Sequence, residues 1–208
     1  QSGEGLTSPE LAVLLAYAKI SLTAELTAAG LGEDPWFEIA VRRYFPALLA
    51  EKYGRQLITH PLKDQIISTV TCNRIINLGG ITMVFRAMEE TGATSIDVVR
   101  AASAAIEIFS IQEMMDAIDA QDNLIPASAQ CQLHLETRRL LDRATRWFLQ
   151  TRGSSIDVAE QVARFAPIVR DYADKVPGAL MGSEAKRWSD LSKRFMAAGA
   201  PASLAETA

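Results

Sequence analysis

The spacing of hydrophobic positions predicts helices along almost the whole chain. Apolar residues recur every three or four positions in successive segments, which Gly, Pro, Asp and Ser residues separate. The longest uninterrupted pattern covers residues 126–151. No series of alternating β-branched segments bounded by turn pairs, the pattern typical of sheets, is found. The sequence therefore predicts an all-α fold, a multi-helix globular bundle of about nine or ten helices without significant sheet.

The first helix has the clearest start signal. In the segment Thr7-Ser8-Pro9-Glu10, Thr7 can cap the helix and Glu10 can reach back to the backbone of Thr7. This helix is predicted to run to about Ala29. Its predicted inward face consists of Leu11, Leu14, Leu15, Ala18 and Leu22.

The breaks in the pattern divide the chain into three parts. Residues 1–5 are interpreted as a linker or the uneven start of a fragment. Residues 6–198 are predicted to form one helical domain, with a candidate internal boundary at 153–155, where Gly and two Ser residues interrupt the helical pattern. Residues 199–208 are small and polar, and they are predicted to form a frayed tail.

Residues 60–92 carry the least ordinary pattern. A step of about 100° per residue places apolar and polar residues on one helical stripe. Its members are Leu62, Ile66, Val70, Asn73, Asn77, Gly80, Val84 and Met88. Asn73 and Asn77 are therefore predicted to lie on a core face, where each unsatisfied amide group would cost about 1–3 kcal/mol.

Two glycines follow these amides. Gly79 and Gly80 together cost about 1–2 kcal/mol of helix propensity, so they predict a kink or a close helix crossing. We interpret Asn73, Asn77, Gly79 and Gly80 as a packing joint, in which the amides fix the register and the glycines allow close approach. The alternative for the two amides is a pair of polar anchors for a small effector.

Composition and charge narrow the function classes. The 208 residues are 49% hydrophobic and 22% charged, as is typical of soluble globular proteins. The nearest candidate for a membrane span, residues 11–22, is interrupted by Lys19, so we predict no membrane contact. A formal charge of −4 argues against a nucleic-acid partner. Cys72 and Cys131 lack metal-type spacing and are predicted to be free thiols of a cytoplasmic protein.

The sequence lacks the common signals of catalysis. It contains neither G-x-G-x-x-G nor G-x-x-x-x-G-K, which argues against a nucleotide phosphate site. His60 and His134 are far apart in sequence and have no ligand-type partner at i+4, so no metal site is predicted. We therefore assign no catalytic, cofactor-binding or metal-ligating residue.

An arginine cluster occupies the longest predicted helix. Its members are Arg138, Arg139, Arg143, Arg146 and Arg152. Such a cluster can contact nucleic acid, but Asp142 lies four residues from both Arg138 and Arg146, which favours a ladder of ion pairs along a solvated face. We interpret Arg139, Arg143 and Arg146 as a candidate face for docking on another protein surface.

Four segments together resemble one protein family. They are LTSPELAVLLAYAKISL at 6–22, YFP at 44–46, HPLKDQIISTVTCNRIINLGGITMVFRAMEETGA at 60–93 and LETRRLLDRATRWFL at 135–149. In this order they resemble the C-terminal portion of the large bacterial NAD-dependent glutamate dehydrogenases. The family usually has Arg where this chain has Ser8, and commonly Phe where it has Met83.

The resemblance implies a parent enzyme that oxidatively deaminates L-glutamate to 2-oxoglutarate and ammonia with NAD. It also implies that the nucleotide-binding fold and the catalytic lysines lie upstream of this region, so no family catalytic residue maps onto this chain. We therefore expect a non-catalytic C-terminal helical domain that holds no cofactor and is inactive alone. It would act as a scaffold, oligomerisation or regulatory segment, with the catalytic domain of the same polypeptide or neighbouring subunits as partners.

A stand-alone helical ligand-binding or transcription-regulator-like protein is the alternative. Such a protein should have a basic recognition helix within about its first fifty residues. The first predicted helix is instead strongly apolar.

Overall fold

The structure, a computed structural model, describes residues 5–153 and 156–207. These residues form α-helices and two short 3-10 helices, and no strand occurs among them. The twelve α-helices are α1 (Ser8–Ala28), α2 (Ile39–Tyr44), α3 (Ala47–Ile58), α4 (Lys63–Gly79), α5 (Met83–Thr91), α6 (Ser95–Ile108), α7 (Ile111–Asp119), α8 (Ala127–Arg152), α9 (Val158–Ala173), α10 (Val176–Ala179), α11 (Gly182–Ala197) and α12 (Ala202–Thr207). The 3-10 helices are Leu31–Glu33 and Pro35–Glu38. The predicted all-α class is confirmed.

The predicted count of about nine or ten helices agrees with the described residues, in which nine α-helices have nine residues or more. Helices α2, α10 and α12 span only four to six residues, too few for a helical period to show in the sequence. The stretch treated as one pattern at 60–92 is two helices, α4 and α5.

The chain divides into two compact units. The first comprises the described residues up to Arg100 together with 149–153, and the second comprises 101–148 and 156–207. The predicted boundary at 153–155 includes Ser154 and Ser155, which lie outside the described residues. The other two boundaries between the units follow Arg100, inside α6, and Phe148, inside α8. A continuous helical pattern runs through both positions, so the sequence gives no sign of a boundary there.

In the first unit, α4 packs against α1, α2 and the Leu31–Glu33 turn. Side chains that are buried in this unit include Leu22, Leu26, Ile67 and Ile75. The predicted start of α1 is confirmed, because the Glu10 carboxylate accepts hydrogen bonds from the Thr7 backbone N–H at 2.7 Å and the Thr7 hydroxyl at 2.6 Å. These bonds hold the pKa of Glu10 below its usual value.

In the second unit, the last residues of the chain belong to the core. A buried cluster contains Ile118, Ile125, Leu133, Phe195, Ala200, Leu204 and Ala205. The prediction of a frayed tail at 199–208 was therefore wrong for the described part, 199–207. The small residues of this segment show no clear apolar period in the sequence. Even so, Ala200, Leu204 and Ala205 are enough to pack the end of the chain into the buried cluster.

Candidate functional site

The predicted packing joint lies at the end of α4, but its amides do not face the core. Asn73 is half-buried and Asn77 is exposed. The face that α4 buries is rotated by about one residue and includes Ile67, Thr71, Ile75 and Leu78. The prediction that both amides lie on a core face was therefore wrong. Isoleucines occur as neighbours at 66–67 and 75–76, so the spacing alone could not decide which member of each pair lies at the middle of the buried face.

Asn77 instead links α4 to α1 at the exposed edge of the contact between these two helices. Its Oδ1 accepts a hydrogen bond from Lys19 Nζ of α1 at 3.3 Å. Deeper in the same contact, Cys72 Sγ donates to the backbone carbonyl of Lys19 at 3.5 Å. Burial raises the pKa of the Cys72 thiol, so this cysteine stays protonated at neutral pH and is a poor nucleophile.

The two glycines form a helix end. Helix α4 ends at Gly79, and Gly80 has φ of 92°, in the left-handed region that favours glycine. A Cβ added to Gly79 would lie 2.1 Å from Sδ of Met83, the first residue of α5, which is itself buried. Gly79 thus provides the space in which Met83 packs, while the wider role of the four residues as a joint remains a prediction.

Gly79→Ala is expected to destabilise the chain by about 1–3 kcal/mol through overpacking against Met83. Asn77→Ala should cost less than about 1 kcal/mol, because it removes one exposed hydrogen bond. Urea unfolding followed by circular dichroism measures both. In a Met83→Ala background, Gly79→Ala should become neutral or stabilising, since alanine is the better helix former. An unchanged cost in that background would contradict this account of Gly79.

The predicted arginine face lies on α8. Arg139 and Arg143 are exposed, and Arg146 is half-buried. Arg146 forms an ion pair with Asp142 one turn earlier, and Arg139 pairs with Glu136. The ion pair predicted between Asp142 and Arg146 is confirmed, whereas docking through Arg139, Arg143 and Arg146 remains a prediction.

Glu136 is a structural residue that the sequence reasoning missed. Its side chain is only 7% exposed, and it joins α8 to α11 by accepting a hydrogen bond from Arg187 Nη2 at 3.0 Å. Gln132 Nε2 also donates to this carboxylate, at 2.7 Å. The positions of Gln132 and Arg139 at i−4 and i+3 were a local signal, but Arg187 lies 51 residues away in sequence.

Each of the two histidines contacts nearby protein atoms, His60 within its own turn and His134 across to α7. His60 Nδ1 accepts a hydrogen bond from the backbone N–H of Leu62 at 3.1 Å. His134 Nε2 lies 3.0 Å from Asp119 Oδ1, and its Nδ1 lies 3.1 Å from Met115 Sδ. Over residues 5–153 and 156–207, no three His, Cys, Asp or Glu side chains are grouped as metal ligands would be.

The most prominent surface feature is the apolar outer side of α1. Only Ala18, Leu22 and Leu26 of this helix are buried. Five large apolar residues of α1 are exposed: Leu11, Val13, Leu14, Tyr17 and Ile20. The prediction that Leu11 and Leu14 face inward was therefore wrong, because the described part of the chain covers only the side of α1 that carries Ala18, Leu22 and Leu26.

By length and composition, α1 would also be able to cross a membrane. Of the described helices it alone meets both criteria, and 17% of its most apolar 18-residue window is buried. A helix that packs its apolar side on a partner protein has the same composition.

The chain matches a known protein family over almost its whole length. The family profile described as "Glutamate dehydrogenase, C-terminal" matches residues 3–208. The chain belongs to this glutamate dehydrogenase C-terminal family. The resemblance carried by the four sequence segments is thereby confirmed.

Three curated relatives of this family are NAD-specific glutamate dehydrogenases. The one from Halomonas elongata is 35% identical over 207 residues, which are 100% of this chain and 13% of the relative. The one from Mycobacterium tuberculosis is 35% identical over 205 residues, covering 99% of this chain and 12% of the relative. The one from Pseudomonas aeruginosa is 36% identical over 204 residues, covering 98% and 13%. The chain thus spans about one eighth of the length of these relatives.

Proposed function

We propose that this chain is the non-catalytic C-terminal helical domain of an NAD-specific glutamate dehydrogenase, in which it acts as a scaffold. The parent enzyme would oxidatively deaminate L-glutamate to 2-oxoglutarate and ammonia in the cytoplasm. NAD and the catalytic residues would be held by the rest of the polypeptide. Support comes from the family match at 3–208 and from relatives about eight times as long as the aligned region.

The observation that carries the scaffold role is the uncovered apolar side of α1. Tyr17 is 69% exposed and Ile20 is 66% exposed, although complete burial of an exposed isoleucine contributes about 1.5–3 kcal/mol. Contiguous exposed apolar residues mark a contact with another protein or with a membrane, and the match to one part of much longer enzymes favours a protein surface. Because the matching family is described as the C-terminal part of glutamate dehydrogenases, and the relatives are about eight times as long as the aligned region, the catalytic portion of the same polypeptide is the proposed occupant.

An effector site built on Asn73 and Asn77 has less support. Asn77 is exposed and its oxygen accepts a hydrogen bond from Lys19, so the two amides do not line an enclosed apolar cavity. The scaffold role is therefore the function that we propose.

The test is the double substitution Tyr17→Glu with Ile20→Glu in the intact dehydrogenase. Because both side chains are exposed, the substituted 208-residue chain should keep its helix content and unfolding midpoint. In the intact enzyme, α1 should lose its protection from hydrogen exchange, and the enzyme should lose assembly or thermal stability. The matched control is Ile168→Glu with Tyr172→Glu on α9, the same residue types at 50% and 59% exposure.

Two results would overturn the proposal. One is an intact enzyme in which the α1 pair and the α9 pair behave alike. The other is flotation of the 208-residue chain with phospholipid vesicles that the α1 substitutions abolish, which would assign α1 to a membrane surface.

A further inference from the structure

Helix α3 is poorly supported by the rest of its unit. Of its twelve residues only Leu57 is buried, and the helix packs mainly against α2. Leu48 is 80% exposed, and Leu49 and Tyr53 are also exposed. Most of the stability of a helix of this length comes from packing of its apolar face, so one side of α3 lacks the contact that such helices normally have.

The same region concentrates positive charge. An open groove of about 900 Å³ is bordered by Arg42 and Arg43 at the end of α2 and by Lys52 and Arg55 of α3. Glu51 is the one acidic residue among those that line it, so the lining carries a formal charge of +3 in a chain whose net charge is −4.

These four cations are not neutralised within the described residues. Arg42, Arg43, Lys52 and Arg55 form no ion pair with any side chain of residues 5–153 and 156–207. The Lys52 ammonium lies 5.2 Å from the centre of the Tyr53 ring, which leaves its charge available to a carboxylate. Elsewhere among the described residues, Arg100 is paired with Asp34 and Arg187 with Glu136.

We propose that this groove, with the exposed leucines of α3, binds an acidic and partly apolar segment of the longer dehydrogenase polypeptide. The surface is called here the α2–α3 docking surface and consists of Arg42, Arg43, Leu48, Lys52 and Arg55. The inference rests on the proposed scaffold function and adds a second contact to that of α1.

The exposed side chain of Leu48 favours a polypeptide over a small anion as the partner of this surface. Leu48 and Lys52 lie four residues apart in the first part of α3, so they share one side of the helix. The helix is kinked at Tyr53, where φ is −120° and ψ is 16°, and Arg55 follows the kink and lines the groove together with Lys52. A free phosphate or carboxylate would use the cations but would leave Leu48 in water. A segment that carries carboxylates next to apolar side chains would cover all three, and about seven eighths of the length of the relatives lies outside the aligned region.

The test is Arg42→Glu with Arg55→Glu, made in the intact dehydrogenase and in the 208-residue chain. In the unsubstituted intact enzyme, the α3 amides should exchange hydrogen at least about 10-fold more slowly than in the 208-residue chain, because docking holds the helix. The charge reversal should abolish this difference, and about 1 M NaCl should reduce it. Leu48→Gln should also reduce it, which a purely electrostatic contact would not show.

The matched control reverses the same charge elsewhere. Arg138→Glu with Arg170→Glu alters exposed arginines of α8 and α9 and should leave the protection of α3 intact. Equal exchange of α3 in the intact enzyme and in the 208-residue chain would overturn the inference. So would protection that survives Arg42→Glu with Arg55→Glu.

A small-anion site would give a different result. Inorganic phosphate would then slow exchange of α3 in the 208-residue chain, and the charge reversal would abolish that effect without changing docking in the intact enzyme. That outcome would also overturn the inference. If the α1 substitutions reduce assembly or thermal stability of the intact enzyme, while the α2–α3 substitutions leave the protection of α3 unchanged, this inference alone fails. If neither set has an effect, the scaffold function fails as well.

Discussion

Phe148→Ala is expected to lower the free energy of unfolding by about 3–5 kcal/mol. The Phe148 side chain is 2% exposed, and its ring lies 5.0 Å from that of Trp147 and 5.8 Å from that of Phe165, both in edge-on geometry. The substitution removes a buried ring, leaves a cavity and breaks two aromatic contacts, each worth about 0.5–1.5 kcal/mol beyond its buried area. Urea unfolding followed by circular dichroism measures the loss.

Trp147→Ala is the matched control for this prediction. Trp147 is the neighbouring aromatic residue on the same helix, but it is 46% exposed. Its removal should therefore cost less than half as much as that of Phe148. Equal costs for the two substitutions would show that burial on this face of α8 does not determine the stability of the unit.

Gly32→Ala is expected to cost about 1–3 kcal/mol through overpacking. Gly32 lies in the Leu31–Glu33 turn, which packs on α4. A Cβ at this position would lie 2.0 Å from Asp64 Oδ1 and 2.9 Å from Asp64 Cα. The carboxylate could rotate away, but the Cα belongs to the backbone of α4, so the turn and the helix would have to separate. A lower midpoint in urea with an unchanged slope would report this loss.

Gly178→Ala is the comparison for Gly32→Ala. A Cβ at Gly178, within α10, would have no atom within 4 Å. This substitution should change stability by no more than about 0.5 kcal/mol, as is usual for unconstrained surface sites. If Gly32→Ala were tolerated equally well, the close approach of the turn to α4 would not be needed for folding.

The features that could be predicted from sequence are those set by neighbours along the chain. The Thr7 and Glu10 cap and the Asp142–Arg146 pair involve residues three or four positions apart, which the helix itself brings together. The long helices were also predictable, because each repeats its apolar spacing several times. The four-residue helix α10 contains only about one turn, so its period could not appear.

The features that could not be predicted depend on distant partners. Glu136 is buried because Arg187 reaches it from a helix 51 residues later, and no local pattern encodes that meeting. The side of α4 that meets α1 differs from the predicted side by about one position, which was enough to bring Asn77 to the surface. For α1, the sequence shows an apolar helix, but only packing on α4 reveals which of its residues remain uncovered.

The buried end of the chain has a practical consequence for protein engineering. Leu204 and Ala205 of α12 belong to the same apolar cluster as Phe195 of α11. A recombinant fragment designed to stop after α11 would remove part of that cluster and leave the Phe195 ring in contact with solvent. Any truncation series or domain transplant should therefore retain the chain through α12, even though its sequence resembles a dispensable linker.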